Sequence, residues 1–403
     1  YPPSSAIGNV NLREHPHVLP FYIPSLILAF SQGMLIPVLP LYILEFDTSL
    51  WLVGIVLSGL PLGMICGDLP AGKLLKYYGQ KRIMQAGFVG FCLANGAMYF
   101  SGSAGEALIC QFFAGFSIAC IGVSRHAYVA EQSQTSKRGR AIAMFGGLNR
   151  FGRFIGPIAG GSLGTLYGLS FVFLCVGGVC LGAFVIVTCY MPAKRQEMGV
   201  NTAKQPSLSL FEVIKLHRRT LLTAGTGQLF AQTIRAARPV IIPLFGSQII
   251  GLGVAEIGII VGAAAAFDMS LFYVAGWLMD TWGRKFAIIP SFGIQAVAFT
   301  LIPFCDSFIG LLIVSCMIGF GNGLGSGNMM TLGSDLAPPE SRGEFLGLWR
   351  LIGDSGHLTA PLLVGNIGQI LTLHASAMAV SGVGIADVIF FVFLIPETLV
   401  KND

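Results

Sequence analysis

Charge is scarce in this chain. Asp, Glu, Lys and Arg together make up 11% of 403 residues, where a soluble domain carries about 25%. At a mean hydropathy of +0.75, so few charges cannot cover a water-exposed surface, and a soluble globular domain is excluded. Basic residues are missing from every second polar turn, which carries only acids or no charge, as at Glu45, Asp47, Glu106, Glu256 and Asp306. Metal-binding spacing is missing too. The nine cysteines form no C-x-x-C pair and the histidines do not cluster. The thiols read as small buried hydrophobes, and no metal or cofactor is expected. No phosphate-binding glycine-lysine-serine loop is present, which argues against an ATP-driven pump. The net charge of +5 contains no basic stretch interleaved with aromatics, so nucleic acid is not an expected partner.

What the chain does have is a series of long apolar runs. They fall at 20–44, 50–71, 82–104, 107–130, 140–164 and 167–190, then at 221–248, 255–279, 286–304, 307–335, 344–369 and 376–396. About 20 apolar residues, at 1.5 Å each, cross a hydrocarbon core of about 30 Å. The remaining turns are basic: Lys73, Lys76, Lys81 and Arg82; Lys137, Arg138 and Arg140; the stretch 194–219; Arg284 and Lys285; Arg342. This alternation predicts a multi-pass protein of the cell membrane, the inner one in a bacterium, with both termini in the cytoplasm.

A displacement of 204 residues lays Gly72 on Gly276, Gly79 on Gly283, Lys81 on Lys285, Arg138 on Arg342 and Pro157 on Pro361. The expected fold is therefore an all-α membrane protein, with twelve transmembrane helices in two pseudo-symmetric six-helix bundles. The bundles are 1–190 and 221–403. Residues 191–220 form a polar cytoplasmic linker with a short surface helix near 210–216. A monomer in the lipid bilayer is expected.

Gly276, Asp280, Gly283 and Arg284 mark the turn after the second span of the C-terminal half. Gly276 is expected to permit close helix contact, Gly283 a tight turn, and Asp280 to pair with Arg284 as a latch on an inner gate. The first-half copy departs from this pattern: Lys76 replaces the acid, Gln80 replaces the arginine, and Gly79 keeps the turn. Asp68 is a candidate for the missing acid. These turns resemble the signature of the major facilitator superfamily. Gly152, Gly156, Pro157 and Gly160 make a small-residue stripe in the fifth span, similar to that of the drug-proton antiporter branch. That resemblance implies packing of the fifth helix against the eighth. The branch's basic residue in the fourth span is absent, and Gln111 stands there. Arg125 and Glu131, near the inner end of the fourth span, are expected in the cytoplasmic gate, and Arg138 and Arg342 in the latch.

Charges also lie deep in the spans. Arg150 and Arg153 are in the fifth, Arg235 and Arg238 in the seventh, Asp268 in the eighth, and Arg350, Asp354 and His357 in the eleventh. An ionised side chain at a helix centre costs about 2.5–3.5 kcal/mol on insertion scales, so these groups must face one another or water. Structural ion pairing is the plainer account of any one of them. Arg350 lies nearer the cytoplasmic end, but the other four arginines against two deep carboxylates leave positive charge over, which a bound organic anion would balance. Gln32, Gln232, Asn149 and Trp349 are candidates to line the same cavity. Asp268, then Asp354 with His357, are candidates for carrying a proton, because burial and a neighbouring guanidinium pull a carboxylate's protonation in opposite directions. Asp387, in the last span, is a weaker candidate.

The leading expectation is secondary active transport of a small organic anion or amphiphile by alternating access, coupled to protons. The fifth-span stripe favours efflux. A carboxylate importer or uniporter is the alternative. No nucleophile or metal set accompanies His357 and Asp354, so an enzyme is not expected.

Overall fold

The computed structural model describes residues 21–46, 48–132, 138–192 and 210–399, with backbone alone for 129–132, 138–145 and 210–211. The side chains of Glu131 and Arg138, and most of the expected linker, lie outside the described residues.

In lipid a helix satisfies its own backbone donors and acceptors where an open strand cannot. The described residues are accordingly helical throughout. The helices are α1 Ile23–Leu44, α2 Leu50–Tyr99, α3 Ala104–Gln132, α4 Arg138–Tyr167, α5 Leu169–Tyr190, α6 Leu210–Leu216 and α7 Arg218–Phe245. They continue with α8 Val254–Thr281, α9 Arg284–Leu301, α10 Phe308–Leu324, α11 Asn328–Leu336, α12 Arg342–Ile370 and α13 Leu373–Phe393. Straight, the 50 residues of α2 would reach about 75 Å, more than twice the hydrocarbon thickness. It is in fact two helices that break at Gly79, whose φ of 77° a side chain would strain. The tenth span is not the continuous helix expected at 307–335. It unwinds between α10 and α11, where Gly327 has a φ of 78°.

Among the described residues eight helices are long and apolar enough to cross a membrane, and the chain is a multi-pass membrane protein. The long helices that miss that criterion have a common feature. α4, α7 and α12 carry Arg150, Arg153, Arg235, Arg238, Arg350, Asp354 and His357. Those charged residues, of which all but Arg350 line the space between the helices, leave these three too polar to read as lipid-facing spans.

Packing falls into two sets. In the first, α1 lies on α4 and α5, and α2 on α3 and α5. In the second, α7 lies on α12 and α13, α8 and α9 on α10, and α9 on α13. The sets meet chiefly through α4 with α8 and α2 with α12. Both junctions are backbone against backbone. A Cβ on Gly258 would collide with the Pro157 carbonyl and lie 3.2 Å from the Gly161 Cα; one on Gly54 would collide with the Pro361 carbonyl and lie 3.2 Å from the Gly365 Cα. These triplets are related by the same displacement of 204 residues. Leu50 N–H donates to Gln369 Oε1 at 3.0 Å beside the second crossing.

The fifth-span stripe is shared differently from expectation. Gly152, Gly156 and Gly160 press on α1 at Ala29–Phe30, Gly33 and Met34, and it is Gly161 with the Pro157 carbonyl that meets α8. Stripe residues three and four apart cover one face, and that face is wide enough for only one neighbour. Gly276 is corrected as well: nothing lies within 4 Å of where its Cβ would stand, so it makes no close helix contact.

Candidate functional site

A cavity of about 720 Å³ lies between the two sets of helices. Its wall includes Gln32 of α1, Arg125 of α3, Asn149, Arg150 and Arg153 of α4, and Gln232, Arg235 and Arg238 of α7. Asp268 of α8, Gln295 of α9, Asn322 of α10, Asp354 and His357 of α12, and Gln111 of α3 complete its polar lining. Depth puts them together. Arg150 lies 12 residues from the start of α4 and Arg235 10 residues from the end of α7, or about 18 and 15 Å along their helices. All four arginines singled out in the sequence reach this one chamber.

Their partners differ. Asp268 takes Arg150 at 3.4 Å on Oδ1 and Arg238 at 4.0 Å on Oδ2, and Asn322 Nδ2 donates to Oδ2 at 2.7 Å. Arg150 also donates to Ser326 in the α10–α11 break and lies over the Phe272 ring, 5.3 Å from its centroid. Arg235 donates from Nη2 to the Gly325 carbonyl at 2.7 Å and to Asn328 Oδ1 at 3.1 Å, with the Phe292 ring 5.2 Å away. Unwound backbone at membrane depth persists only where protein or cavity satisfies it, and here a guanidinium does so. Arg153 has no hydrogen-bond acceptor and no ion pair among the described residues. Arg153 is exposed, and it lines the cavity.

Five arginines and two aspartates line the chamber. Of those aspartates, Asp354 is paired with Arg350 at 3.5 Å, and Arg350 reaches Asp68 of α2 at 2.9 Å. Asp68 thus meets a cation from the other set of helices. His357 Nδ1 lies 3.2 Å from the Gly353 carbonyl, and its ring faces the cavity.

Two candidates sit elsewhere than expected. Trp349 is buried: its indole N–H donates to the Met329 carbonyl at 3.0 Å and its ring covers Gly333, so it ties α12 to α11 behind the cavity. Arg125, expected at the gate, has its side chain in the cavity wall near Arg153. The latch is larger than the sequence suggested. Arg284 bonds Asp280 at 3.1 Å and Asp335 of α11 at 3.0 Å, and Thr398 Oγ1 donates to the same Asp335 oxygen at 3.0 Å. Glu397 accepts from the Arg284, Lys285, Thr398 and Leu399 backbone N–H groups at 2.8–3.0 Å. Burial pushes its carboxyl up, and these four bonds overcome that and hold it below its ordinary value. Gly283, at φ 124°, leaves room for that carboxylate. Arg342 donates to Ser334 at 2.7 Å beside the cluster. Lys76 is exposed, with no acid partner among the described residues. The ending Pro396-Glu397-Thr398 was a visible signal for this cap, whereas nothing in the sequence pointed to Asp335.

A helical membrane protein with a charged chamber between two contacting sets of helices is a transporter of small molecules rather than an enzyme. The chain belongs to the Major Facilitator Superfamily, whose model matches residues 22–361 and again 225–401. It is similar to the "Probable galactarate/D-glucarate transporter GudP" of Bacillus subtilis, 25% identical over 81% of each chain. It is also similar to the "Multi-drug resistance efflux pump PmrA homolog" of Lactococcus lactis, 24% identical over 89% of this chain and 90% of that one. The "Enterobactin exporter EntS" of Salmonella paratyphi A is 23% identical, with 95% and 93% covered. In fold, the crystal structure of a mutant of the nucleoside transporter NupG matches with a TM-score of 0.74 at 12% identity, covering 92% of this chain and 98% of that one.

Proposed function

We propose that the chain moves a small hydroxylated organic anion, with more than one acidic group, by alternating access, and that a proton travels with it. One observation carries the reading. Arg153 offers an unpaired guanidinium to a walled chamber in which Arg150 and Arg238 share the single carboxylate of Asp268. An entering carboxylate meets Arg153 in the two-pronged geometry guanidinium favours and competes with Asp268 for the other two. Amides from Gln32, Asn149, Gln232, Gln295 and Asn322 suit hydroxyl groups.

Protonating Asp268 releases Arg150 and Arg238, so proton and anion strengthen each other's binding. Ligands that do so load together. Where the proton gradient points into the cell, flux is inward. This favours the importer over the efflux that the fifth-span stripe suggested; the galactarate and D-glucarate in the Bacillus relative's name fit such a cargo, while the efflux pump and the exporter among the relatives favour the other direction. Asp354 and His357 supply a second titrating pair beside the site.

The moving parts in this reading are two six-helix bundles, 1–190 and 221–403. The repeated glycine crossings support them, as does the break of α2 into two passes, which with the polar α4, α7 and α12 brings the spans to twelve. With the basic turns in the cytoplasm, both termini are cytoplasmic and the crossings seal the outer side. The Asp280–Arg284–Asp335 latch, Gly79 and the Asp68–Arg350 pair belong to the inner gate.

Purified protein in liposomes, with pH and voltage imposed separately, tests this. Uptake of dicarboxylates driven by an inward proton gradient is expected, with little uptake of neutral or cationic analogues. Preference for cations, or anion movement only against the proton flow, would overturn it.

A further inference from the structure

Asp387 of α13 is fully buried, and neither of its carboxylate oxygens has a hydrogen-bond partner among the described residues. It does not line the cavity. It lies behind Arg235, where α7, α9 and α13 meet. One turn before it, a Cβ at Gly384 would touch Ala296 of α9 at 2.8 Å and Ile234 of α7 at 3.5 Å. One turn after it, Phe391 stacks on Phe292 at 6.4 Å and abuts Gly227. The charged groups around it are few. On α9, nothing between Phe286 and Leu301 titrates; on α12, Asp354 and Arg350 pair with each other, and His357 faces the cavity. His374, on α13 itself, stacks near Phe245 at the far end of the helix. Arg235 of α7 is the charge that acts on Asp387.

Arg235 is incompletely satisfied on the side away from the break. Its Nη2 is occupied by Gly325 and Asn328, while its Nε is buried with no acceptor. A buried ionised carboxylate without donors costs far more than a neutral acid in the same place, so the packing seen here accommodates Asp387 as the acid. Loss of that proton to water in the cavity would leave a carboxylate whose nearest cation has an unused N–H.

We infer that Asp387 is a proton-binding site that sets the position of Arg235. Protonated, it leaves Arg235 on the Gly325 carbonyl at the edge of the anion chamber. Deprotonated, it captures the guanidinium, withdraws it from the chamber and frees the unwound segment between α10 and α11 to move. The pair therefore links proton occupancy both to anion affinity and to the mobility of a broken helix. This deepens the proposed function and rests on it only for the anion-binding readout.

Two measurements separate the ideas. In the purified parent protein without substrate, infrared difference spectra taken across a pH titration should contain the carbonyl stretch of a protonated buried carboxylic acid, and Asp387→Asn should lack it. Absence of that band from the parent overturns the inference whether or not any anion is carried. For binding, dicarboxylate affinity in the parent should fall by about 5–150-fold as the pH is raised, the usual range of a coupling between sites. Asp387→Asn, a near-isosteric mimic of the acid, should show a clearly smaller fall, keeping only the part that Asp268 contributes, while anion exchange continues. A mutant with the parent's pH dependence and the parent's infrared band would overturn it. Failure of every anion to bind, with the band present and removed by the mutation, would instead count against the proposed substrate.

Discussion

Arg150 and Asp268 come from opposite halves of the chain and lie 3.4 Å apart across the cavity. The same carboxylate holds Arg238, so one acid restrains two cations that the proposed substrate needs. Replacing Asp268 by Asn should uncouple the cycle. Uptake driven by a pH gradient in liposomes should disappear, while exchange of labelled for unlabelled anion survives. Equal gradient-driven uptake by mutant and parent would remove Asp268 from the coupling scheme.

Arg153 is the chamber arginine with no hydrogen-bond acceptor and no ion pair to lose among the described residues. Arg153→Gln should weaken dicarboxylate binding by roughly 10–150-fold, corresponding to about 1.5–3 kcal/mol for charge-assisted hydrogen bonds. Binding of a neutral analogue should stay within about twofold. Calorimetry on the purified protein reads both, and equal losses for the two ligands would make Arg153 a structural residue.

The glycine crossings predict a matched pair of defects. In Gly258→Leu the new side chain meets the Pro157 carbonyl, and in Gly54→Leu it meets the Pro361 carbonyl. Both variants should reach the membrane and lose transport because the end they seal no longer shuts. A Leu35→Cys probe in the cavity wall, in a cysteine-free background, should then become reactive to an impermeant thiol reagent added from outside. Unchanged labelling would mean that the crossings do not form the barrier.

Glu397 gives a pH dependence whose sign follows from its hydrogen bonds. Its folded carboxyl titrates below the ordinary value of about 4.3. The stabilisation is thus fully present above that ordinary value and is lost as pH falls through the lower folded one. Thermal unfolding in detergent should show parent and Glu397→Gln differing most at neutral pH and converging in acid. A constant gap at every pH would assign the effect to packing.

The first half of the chain lacks the latch of the second: Lys76 and Gln80 stand at the positions of Asp280 and Arg284. The double variant Lys76→Asp, Gln80→Arg supplies the missing pair. An exposed pair contributes about 0–1 kcal/mol. Turnover should therefore slow by no more than about fivefold, with substrate affinity unchanged. A large affinity change would mean that the turn communicates with the chamber.

The chamber was legible in the sequence because lipid makes it so. Arg150, Arg153, Arg235 and Arg238 cannot face hydrocarbon, so helices of known length and order bring them to a common interior. The two-fold repeat was legible through glycines and prolines that keep one spacing. What sequence could not fix was orientation around each helix. Trp349 is next to Arg350 in the chain, yet it is buried on the Met329 carbonyl of α11 while Arg350 is exposed. Pairings between distant segments were equally hidden, as with Asp335 and Arg284 or Glu397 and Gly283. Asp387 was set aside because its helix is the last, although burial depends on which face a residue occupies rather than on order in the chain.

At the centre of both crossings main chain touches main chain, and side chains such as Ile158 on Gly262 and Leu50 on Gly368 meet only single glycines beside it. Such a joint can turn like a pivot between two smooth rods: tilting one half against the other need not force any rotamer to flip. The barrier at that end would then rest on dispersion and on two hydrogen bonds, Leu50 to Gln369 and Ser58 to the Leu358 carbonyl, and its release would cost little wherever the cargo supplies a comparable attraction.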